Sequence, residues 1–211
     1  KRVYVSGFSN GSFFSYALAC YYSEKIAAVA SVAGTMMSET YENCNPSHPM
    51  PMISIHGTKD FVVPYEGTED EKGLKSLPEV TDYWVQKNSL NPLPLTQTIN
   101  ANDQQIDHFL YTSNSDSIAV EHYKVINGGH LWIDLTYNNQ TTSSVIWDFV
   151  SKYENYKPIE HSKDNCINEL KLKINNVSKY IDDFQFNKSV AKIYEFSNFL
   201  SEITSKEDLS K

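Results

Sequence analysis

Residues 3–23 read VYVSGFSNGSFFSYALACYYS, and the change of pattern within this stretch indicates the fold. Residues 3–5 form a short β-prone run that ends at Ser6-Gly7. From Gly11 onward the apolar residues recur with helical spacing, so we predict a strand, a tight turn and a helix. The helix face that we expect to be buried carries Phe14, Leu18 and either Tyr21 or Tyr22.

The turn contains the pentapeptide Gly7-Phe8-Ser9-Asn10-Gly11, which fits the pattern GxSxG. Between a strand and a helix, this pattern indicates a nucleophile elbow, a strained turn that lifts the serine hydroxyl clear of the sheet. We expect glycine at both ends because a side chain there would collide with neighbouring backbone. Ser9 is therefore the predicted nucleophile; the alternative is a serine in an ordinary glycine-rich turn.

Further along the chain, apolar runs of strand length alternate with amphipathic segments of helical spacing. This alternation predicts an α/β fold with a parallel sheet, and a hairpin is expected between residues 96 and 111. The predicted strands cover residues 26–32, 52–55 and 118–126, the predicted helices cover residues 80–87 and 142–153, and residues 34–49 are predicted as loop.

A serine nucleophile needs a base, and the base needs an orienting acid. Asp60 ends the segment HGTKD (residues 56–60), just past a predicted strand. Catalytic groups of open α/β sheets collect at that edge, so Asp60 is the predicted acid, although an aspartate that only caps a turn is the alternative. Asp70, Asp82 and Asp103 are weaker candidates because none follows a strand so directly.

His130 follows the last predicted strand and Gly128-Gly129, a run that we expect to be flexible enough to present the ring to Ser9. The chain order serine, acid, histidine is the one used with a nucleophile elbow, so His130 is the predicted base. The other histidines are His48, His56, His108, His122 and His161, of which His56 is expected to have a structural role.

The oxyanion of an acyl-transfer intermediate needs backbone donors. The N–H of the residue after the nucleophile supplies one, which makes Asn10 the predicted oxyanion-hole residue, and the other donor comes from a loop N-terminal to the elbow. The chain has only eight residues before Ser9 and opens with Lys1-Arg2 directly before a strand. We therefore expect the second donor, and the N-terminal half of the sheet, to be missing.

Composition changes after residues 156–158, where two further amphipathic patterns predict a helical hairpin. We place a partial catalytic domain at residues 1–154, a linker at 155–167 and the hairpin with a polar end at 168–211. The apolar positions of the predicted hairpin are Leu170, Ile174, Val177, Ile181, Phe184, Ile193, Phe196, Leu200 and Ile203.

The formal net charge of −8 comes entirely from residues 1–154, which hold 9 basic and 17 acidic side chains. This balance argues against a nucleic-acid partner for the catalytic part, and no apolar run is long enough to span a membrane. The three cysteines lack the spacing of a metal site, so we expect no metal. Cys20 is interpreted as a small buried apolar residue, and Cys44 as a loop residue whose partner lies outside this chain.

Three segments in order resemble the polyhydroxybutyrate depolymerase and feruloyl-esterase-like group of secreted α/β-hydrolases. They are VYVSGFSNGSFFSYALAC with the following IAAVASVAG, then PMPMISIHGTKDFVVPYEG, and VEHYKVINGGHLW. The resemblance, over residues 3 to about 153, implies the C-terminal half of an α/β-hydrolase sheet and a serine carboxylesterase that uses Ser9, Asp60 and His130 without a cofactor. It also implies hydroxyalkanoate, acylated-sugar or feruloyl ester substrates, with Trp132 near the mouth of the cleft, and an extracellular or periplasmic location.

Residues 170–200 are similar to part of the anticodon-binding helical bundle of leucyl-type class I tRNA synthetases, with FNKSVAK (residues 186–192) as the matching core. Any amphipathic helical hairpin is the alternative reading of this segment. Two alternatives to an active esterase follow from these features. One is an inactive truncated remnant fused to a synthetase-like fragment, and the other is an RNA-binding protein that acts through its tail, whose net charge is zero.

Overall fold

A computed structural model describes residues 2–68, 73–101, 104–113, 117–135 and 140–154 of this chain. The predicted linker at residues 155–167 and the predicted helical hairpin at 168–211 lie outside the described residues. The strands are β1 (Tyr4–Phe8), β2 (Ala28–Val32), β3 (Met52–Gly57), β4 (Leu95–Ala101), β5 (Gln104–Thr112) and β6 (Ala119–Val125), and the helices are α1 (Asn10–Tyr21), α2 (Ser38–Glu42), α3 (Leu77–Lys87) and α4 (Thr142–Val150).

The six strands form one sheet in the order β1-β2-β3-β6-β5-β4. The first four run parallel, while β5 pairs antiparallel with β6 and β4 pairs antiparallel with β5. The predicted α/β class and the hairpin are confirmed. The prediction of a purely parallel sheet is wrong, because the hairpin folds back onto β6 and continues the sheet.

Helices cover both faces of the sheet. Alternate residues of β2 contribute to two separate cores, since Ala28, Ala30 and Val32 pack in the core that includes α4, and Val29 packs in the core that includes α1 and α3. Both β2 and β3 are buried along their whole length, as expected for strands in the middle of a covered parallel sheet. The residues of α4 in the first core are those with helical spacing, Val145, Ile146, Phe149 and Val150.

The buried face of α1 differs from the predicted one, and the assignment of Phe14, Leu18 and Tyr21 to it is wrong. Small and hydroxyl-bearing side chains let the helix approach the sheet closely, and Ser12 hydrogen-bonds Ser31 of β2. Burial of those polar groups is tolerated because each has a partner. The buried residues of α1 are Ser12, Ser15, Tyr16, Ala19 and Cys20.

A disulfide joins Cys20 near the end of α1 to Cys44 in the segment between α2 and β3. The interpretations of Cys20 as a simple apolar residue and of Cys44 as paired outside this chain are therefore both wrong. The predicted loop at residues 34–49 also contains the short helix α2. Cys166 lies outside the described residues.

The buried His122 of β6 joins that strand to β3 and to the loop that follows β3. His122 of β6 hydrogen-bonds Ser54 through Nδ1 and the Tyr65 hydroxyl through Nε2, both at 2.8 Å. Burial lowers the pKa of His122 from 6.5 to about 3, so the ring is neutral near pH 7. A neutral ring has one donor and one acceptor nitrogen, which matches its two hydroxyl partners.

The His122 burial makes folding stability depend on pH. Between its folded pKa of about 3 and the ordinary value of 6.5, the unfolded chain binds a proton that the folded chain does not. The free energy of unfolding should therefore fall as pH falls below 6.5, by up to about 1.4 kcal/mol per pH unit from this group. His122→Gln should be less stable than the parent at pH 7.5 but show a shallower fall between pH 6.5 and 4.5 in urea unfolding. Parallel curves for the two proteins would refute this account.

Candidate active site

Ser9 lies at the turn between β1 and α1 with φ 54° and ψ −117°, a conformation that L-residues rarely adopt. Backbone strain of this kind costs roughly 1–3 kcal/mol and persists only where the surroundings impose it. Here the Ser9 N–H donates to the Val32 carbonyl at 2.9 Å, and the Ser9 carbonyl accepts from Ser12 and Phe13 at 2.9 and 3.2 Å. The strand-to-helix turn predicted from the pentapeptide is confirmed.

The two glycines of the pentapeptide have different surroundings. A Cβ on Gly7 would lie 2.1 Å from both the carbonyl carbon and the oxygen of Gly11, so only glycine allows the strand and helix to meet. A Cβ on Gly11 would have no atom within 4 Å. The expectation of a collision at both positions is therefore wrong for Gly11, which faces open space.

The loops after β3 and β6 are held together by their backbones. The Lys59 N–H donates to the Gly128 carbonyl and the Asn127 N–H to Thr58 Oγ1, both at 2.8 Å. A Cβ on Gly57 would lie 2.2 Å from the Gly128 oxygen. Gly57 is therefore the residue that must be glycine for these two backbones to pack, and the flexibility expected of Gly128-Gly129 stays a prediction.

These loops bring the three predicted side chains into one hydrogen-bonded line. His130 Nδ1 lies 2.8 Å from Asp60 Oδ2, and His130 Nε2 lies 2.9 Å from Ser9 Oγ. Because a carboxylate can only accept, the proton of the neutral His130 ring lies on Nδ1 and is donated to Asp60. Nε2 then accepts from the Ser9 hydroxyl. The arrangement can remove a proton from Ser9 and stabilise the resulting imidazolium.

Asp60 is buried and its two oxygens have separate partners. Oδ1 accepts from the Val62 and Val63 N–H groups at 2.9 and 2.8 Å, which leaves Oδ2 facing His130. His56 Nε2 lies 2.8 Å from the Val63 carbonyl and 3.4 Å from Asp60 Oδ2. Burial lowers the pKa of His56, although the adjacent Asp60 charge opposes this shift.

The remaining candidates do not join this cluster. Asp82 lies on the exposed side of α3, and His108 pairs with Glu121 at 3.2 Å on the hairpin side of β6. His48 hydrogen-bonds the backbone of Ser23 and Pro49. Asp70, Asp103 and His161 lie outside the described residues.

Exposed apolar side chains lie next to these residues along the chain, and two of them have ring contacts at the site. The Phe8 ring lies 5.1 Å from the His130 ring and 6.5 Å from the Trp132 ring, measured between centroids. Phe61, directly after Asp60, is 88% exposed, and Trp132 is 45% exposed. We call the set Phe8, Phe61, Val62, Leu131 and Trp132 the apolar rim. Apart from Trp132 it was missed from the sequence, although each member is next to or two residues from Ser9, Asp60 or His130.

Within the described ranges, no group of three or more His, Cys, Asp or Glu side chains is placed to hold a metal ion. In the same part of the chain no helix has both the length and the apolar character needed to cross a membrane. The expectation that the chemistry uses no metal or cofactor stays a prediction.

The profile of the family described as "Phospholipase/Carboxylesterase" matches residues 1–113, just over half of the chain. A bifunctional acetylxylan esterase/xylanase from Neocallimastix patriciarum is 28% identical over 166 residues, which is 77% of this chain and 22% of that protein. Feruloyl esterase B from Piromyces equi is 26% identical over 161 residues, which is 72% of this chain and 28% of that protein.

This chain thus spans less than a third of the length of these two relatives. The matched family segment contains Ser9 and Asp60 but ends before His130. The likeness to feruloyl esterases agrees with part of the resemblance noted in the sequence. The resemblances to polyhydroxybutyrate depolymerases and, for the tail, to tRNA synthetases stay predictions.

The two glycines of the turn provide a matched pair of variants. Gly7→Ala should lower the free energy of unfolding by at least about 2 kcal/mol, because its Cβ would collide with helix backbone. Gly11→Ala should leave stability unchanged or raise it by up to about 1 kcal/mol, since alanine suits a helix better than glycine and meets no atom. Urea unfolding of both variants measures the contrast, and equal losses would contradict the packing described for Gly7.

Proposed function

Because the chain belongs to the phospholipase/carboxylesterase family, we propose that it is a serine ester hydrolase with Ser9 as nucleophile, His130 as base and Asp60 as orienting acid. The observation that carries the proposal is the continuous line from Ser9 Oγ through His130 to the buried carboxylate of Asp60. A nucleophile in hydrogen-bonding reach of a base that is itself oriented by an acid is the arrangement that acyl transfer requires.

In the first half of the reaction, Ser9 Oγ attacks the ester carbonyl carbon while His130 Nε2 takes the hydroxyl proton. The Asp60 carboxylate stabilises the imidazolium and holds the ring in the required tautomer. When the tetrahedral intermediate collapses, the bond to the alcohol breaks and His130 returns the proton to the leaving oxygen. The acyl group then remains on Ser9.

In the second half, His130 takes a proton from water, and the resulting hydroxide attacks the acyl-enzyme carbonyl. Collapse of this intermediate releases the acid and returns the proton to Ser9. The Asn10 N–H, at the first turn of α1, is the proposed donor to both oxyanions. The helix N-terminus at this position favours the same negative charge.

The proposed substrate is an ester with an aromatic acyl group, such as a feruloyl ester. The apolar rim lies beside His130 and offers two exposed aromatic rings, Phe61 and Trp132, in addition to Phe8. An aromatic acyl group gains from contact with such rings, whereas an acetyl group is too small to reach them. Hydroxyalkanoate oligomers and acetylated sugars are the alternative substrates, and the first named relative is an acetylxylan esterase/xylanase.

Trp132→Ala should therefore separate aromatic from acetyl substrates. We expect KM for methyl ferulate to rise about fivefold to tenfold, in line with the loss of one aromatic contact, while KM for an acetyl ester changes little. Trp132→Phe keeps a ring and should fall between the two. Equal effects on both esters, or preferred turnover of hydroxybutyrate oligomers, would contradict the proposed acyl specificity.

A fluorophosphonate, which reacts only with activated serines, tests the nucleophile directly. We expect one adduct per chain, mapped to Ser9 by mass spectrometry, and its loss in Ser9→Ala and His130→Ala. Ser6→Ala is the matched control, because this exposed serine of the same strand has no role in the proposal. No adduct on a cooperatively folded parent protein would refute the proposal and favour the inactive remnant.

An extracellular or periplasmic location is also proposed. It is supported by the Cys20–Cys44 disulfide, because disulfides persist mainly in oxidising compartments. The substrate is the one partner proposed for the catalytic part, either a small ester or an ester-bearing polymer.

A further inference from the structure

His56 lies at the end of β3, four residues before Asp60, and its ring is fully buried. Its Nε2 is 2.8 Å from the Val63 carbonyl, so the neutral ring carries its proton on Nε2 and donates it there. The same nitrogen lies 3.4 Å from Asp60 Oδ2. The His56 Nε2–H group therefore lies close both to the Asp60 carboxylate and to the turn whose N–H groups hold that carboxylate.

Burial favours the neutral form of this ring. Burial lowers the pKa of His56, the Val63 carbonyl and the Asp60 charge oppose that shift, and the nearby His130 adds to it. Nδ1 of His56 has no hydrogen-bonding partner of ordinary geometry among the described residues, although the Gly34 carbonyl is close enough to favour the charged form. A neutral ring leaves Asp60 as the negative charge that pairs with the His130 imidazolium.

The position of the Asp60 carboxylate depends on the turn formed by the next three residues. The N–H groups of Val62 and Val63 hold Oδ1. The His56 N–H donates to the Val63 carbonyl, which belongs to the next peptide unit and is joined at the Val63 Cα to the unit whose N–H holds Oδ1. Without it, a buried carbonyl loses its donor, and the turn can relax in a way that rotates the carboxylate.

We propose that His56 is a positioning residue for the proposed esterase reaction: its N–H holds the turn after Asp60 so that Oδ2 stays aligned with His130. This inference rests on the proposed function for its catalytic readout. From the sequence, His56 was expected to have only a structural role, and the proposal gives it a role in the reaction as well. The effect is transmitted through the backbone on the two sides of the Val63 Cα and through the 3.4 Å approach of His56 Nε2 to Asp60 Oδ2.

His56→Phe removes the N–H and keeps a flat ring, while His56→Gln can still donate from a similar position. We expect His56→Phe to lower kcat about 10-fold to 100-fold with KM within about twofold, as for a misaligned catalytic group. The midpoint of the acid limb of its kcat/KM pH profile should move to lower pH, because a loosely held carboxylate stabilises the imidazolium less. His56→Gln should recover most of kcat and the parent pH profile.

His122→Gln is the matched control, since His122 is as deeply buried but contacts neither Asp60 nor His130 in the described structure. It should lose stability without moving the pH profile. An unmoved pH profile in both His56 variants, with kcat no lower than in His122→Gln, would overturn the proposal.

Titration of the His130 ring by NMR in the full chain gives a second readout that needs no turnover. If the parent hydrolyses no ester, the proposed function fails. The positioning role is then tested separately. It is supported if the His130 titration midpoint moves to lower pH in His56→Phe and returns in His56→Gln, and it is contradicted if the midpoint does not move. Should His56→Phe fail to fold, a parent-like midpoint and kcat in His56→Leu, which also lacks the N–H, would equally overturn it.

Discussion

Close contact between backbones, made possible by glycine, is the constraint on which the site depends. Gly7 lets β1 meet α1 at the strained turn of Ser9, and Gly57 lets the loop after β3 meet Gly128 in the loop after β6. A single methyl group at either contact would separate elements that carry reacting groups. The 2.8 and 2.9 Å hydrogen bonds of His130 exist because these backbones cannot drift apart.

The acid has the most heavily supported position of the three. Two peptide N–H groups fix one oxygen of Asp60, and a neutral histidine at 3.4 Å flanks the other. A buried neutral imidazole suits this task because its N–H donates to the turn without adding a charge beside the carboxylate.

The strained serine and the exposed apolar rim belong together functionally. A serine raised above the sheet by its turn is accessible, and accessible apolar side chains next to it provide contact area for the acyl part of an ester. Membership of the phospholipase/carboxylesterase family fits both features.

By itself the sequence determined the α/β class, the strand–turn–helix at Ser9, and which aspartate and histidine lie in line with Ser9, because each depends on local pattern and on chain order. It did not determine the antiparallel hairpin's place in the sheet, the Cys20–Cys44 disulfide or the role of His56. These depend on which segments meet in space, and residues far apart in sequence leave no periodic signal of their meeting. The buried face of α1 was also misjudged, because the close approach of the helix to the sheet favours the small residues Ser12, Ser15 and Ala19, with Tyr16 as the one large side chain on that face.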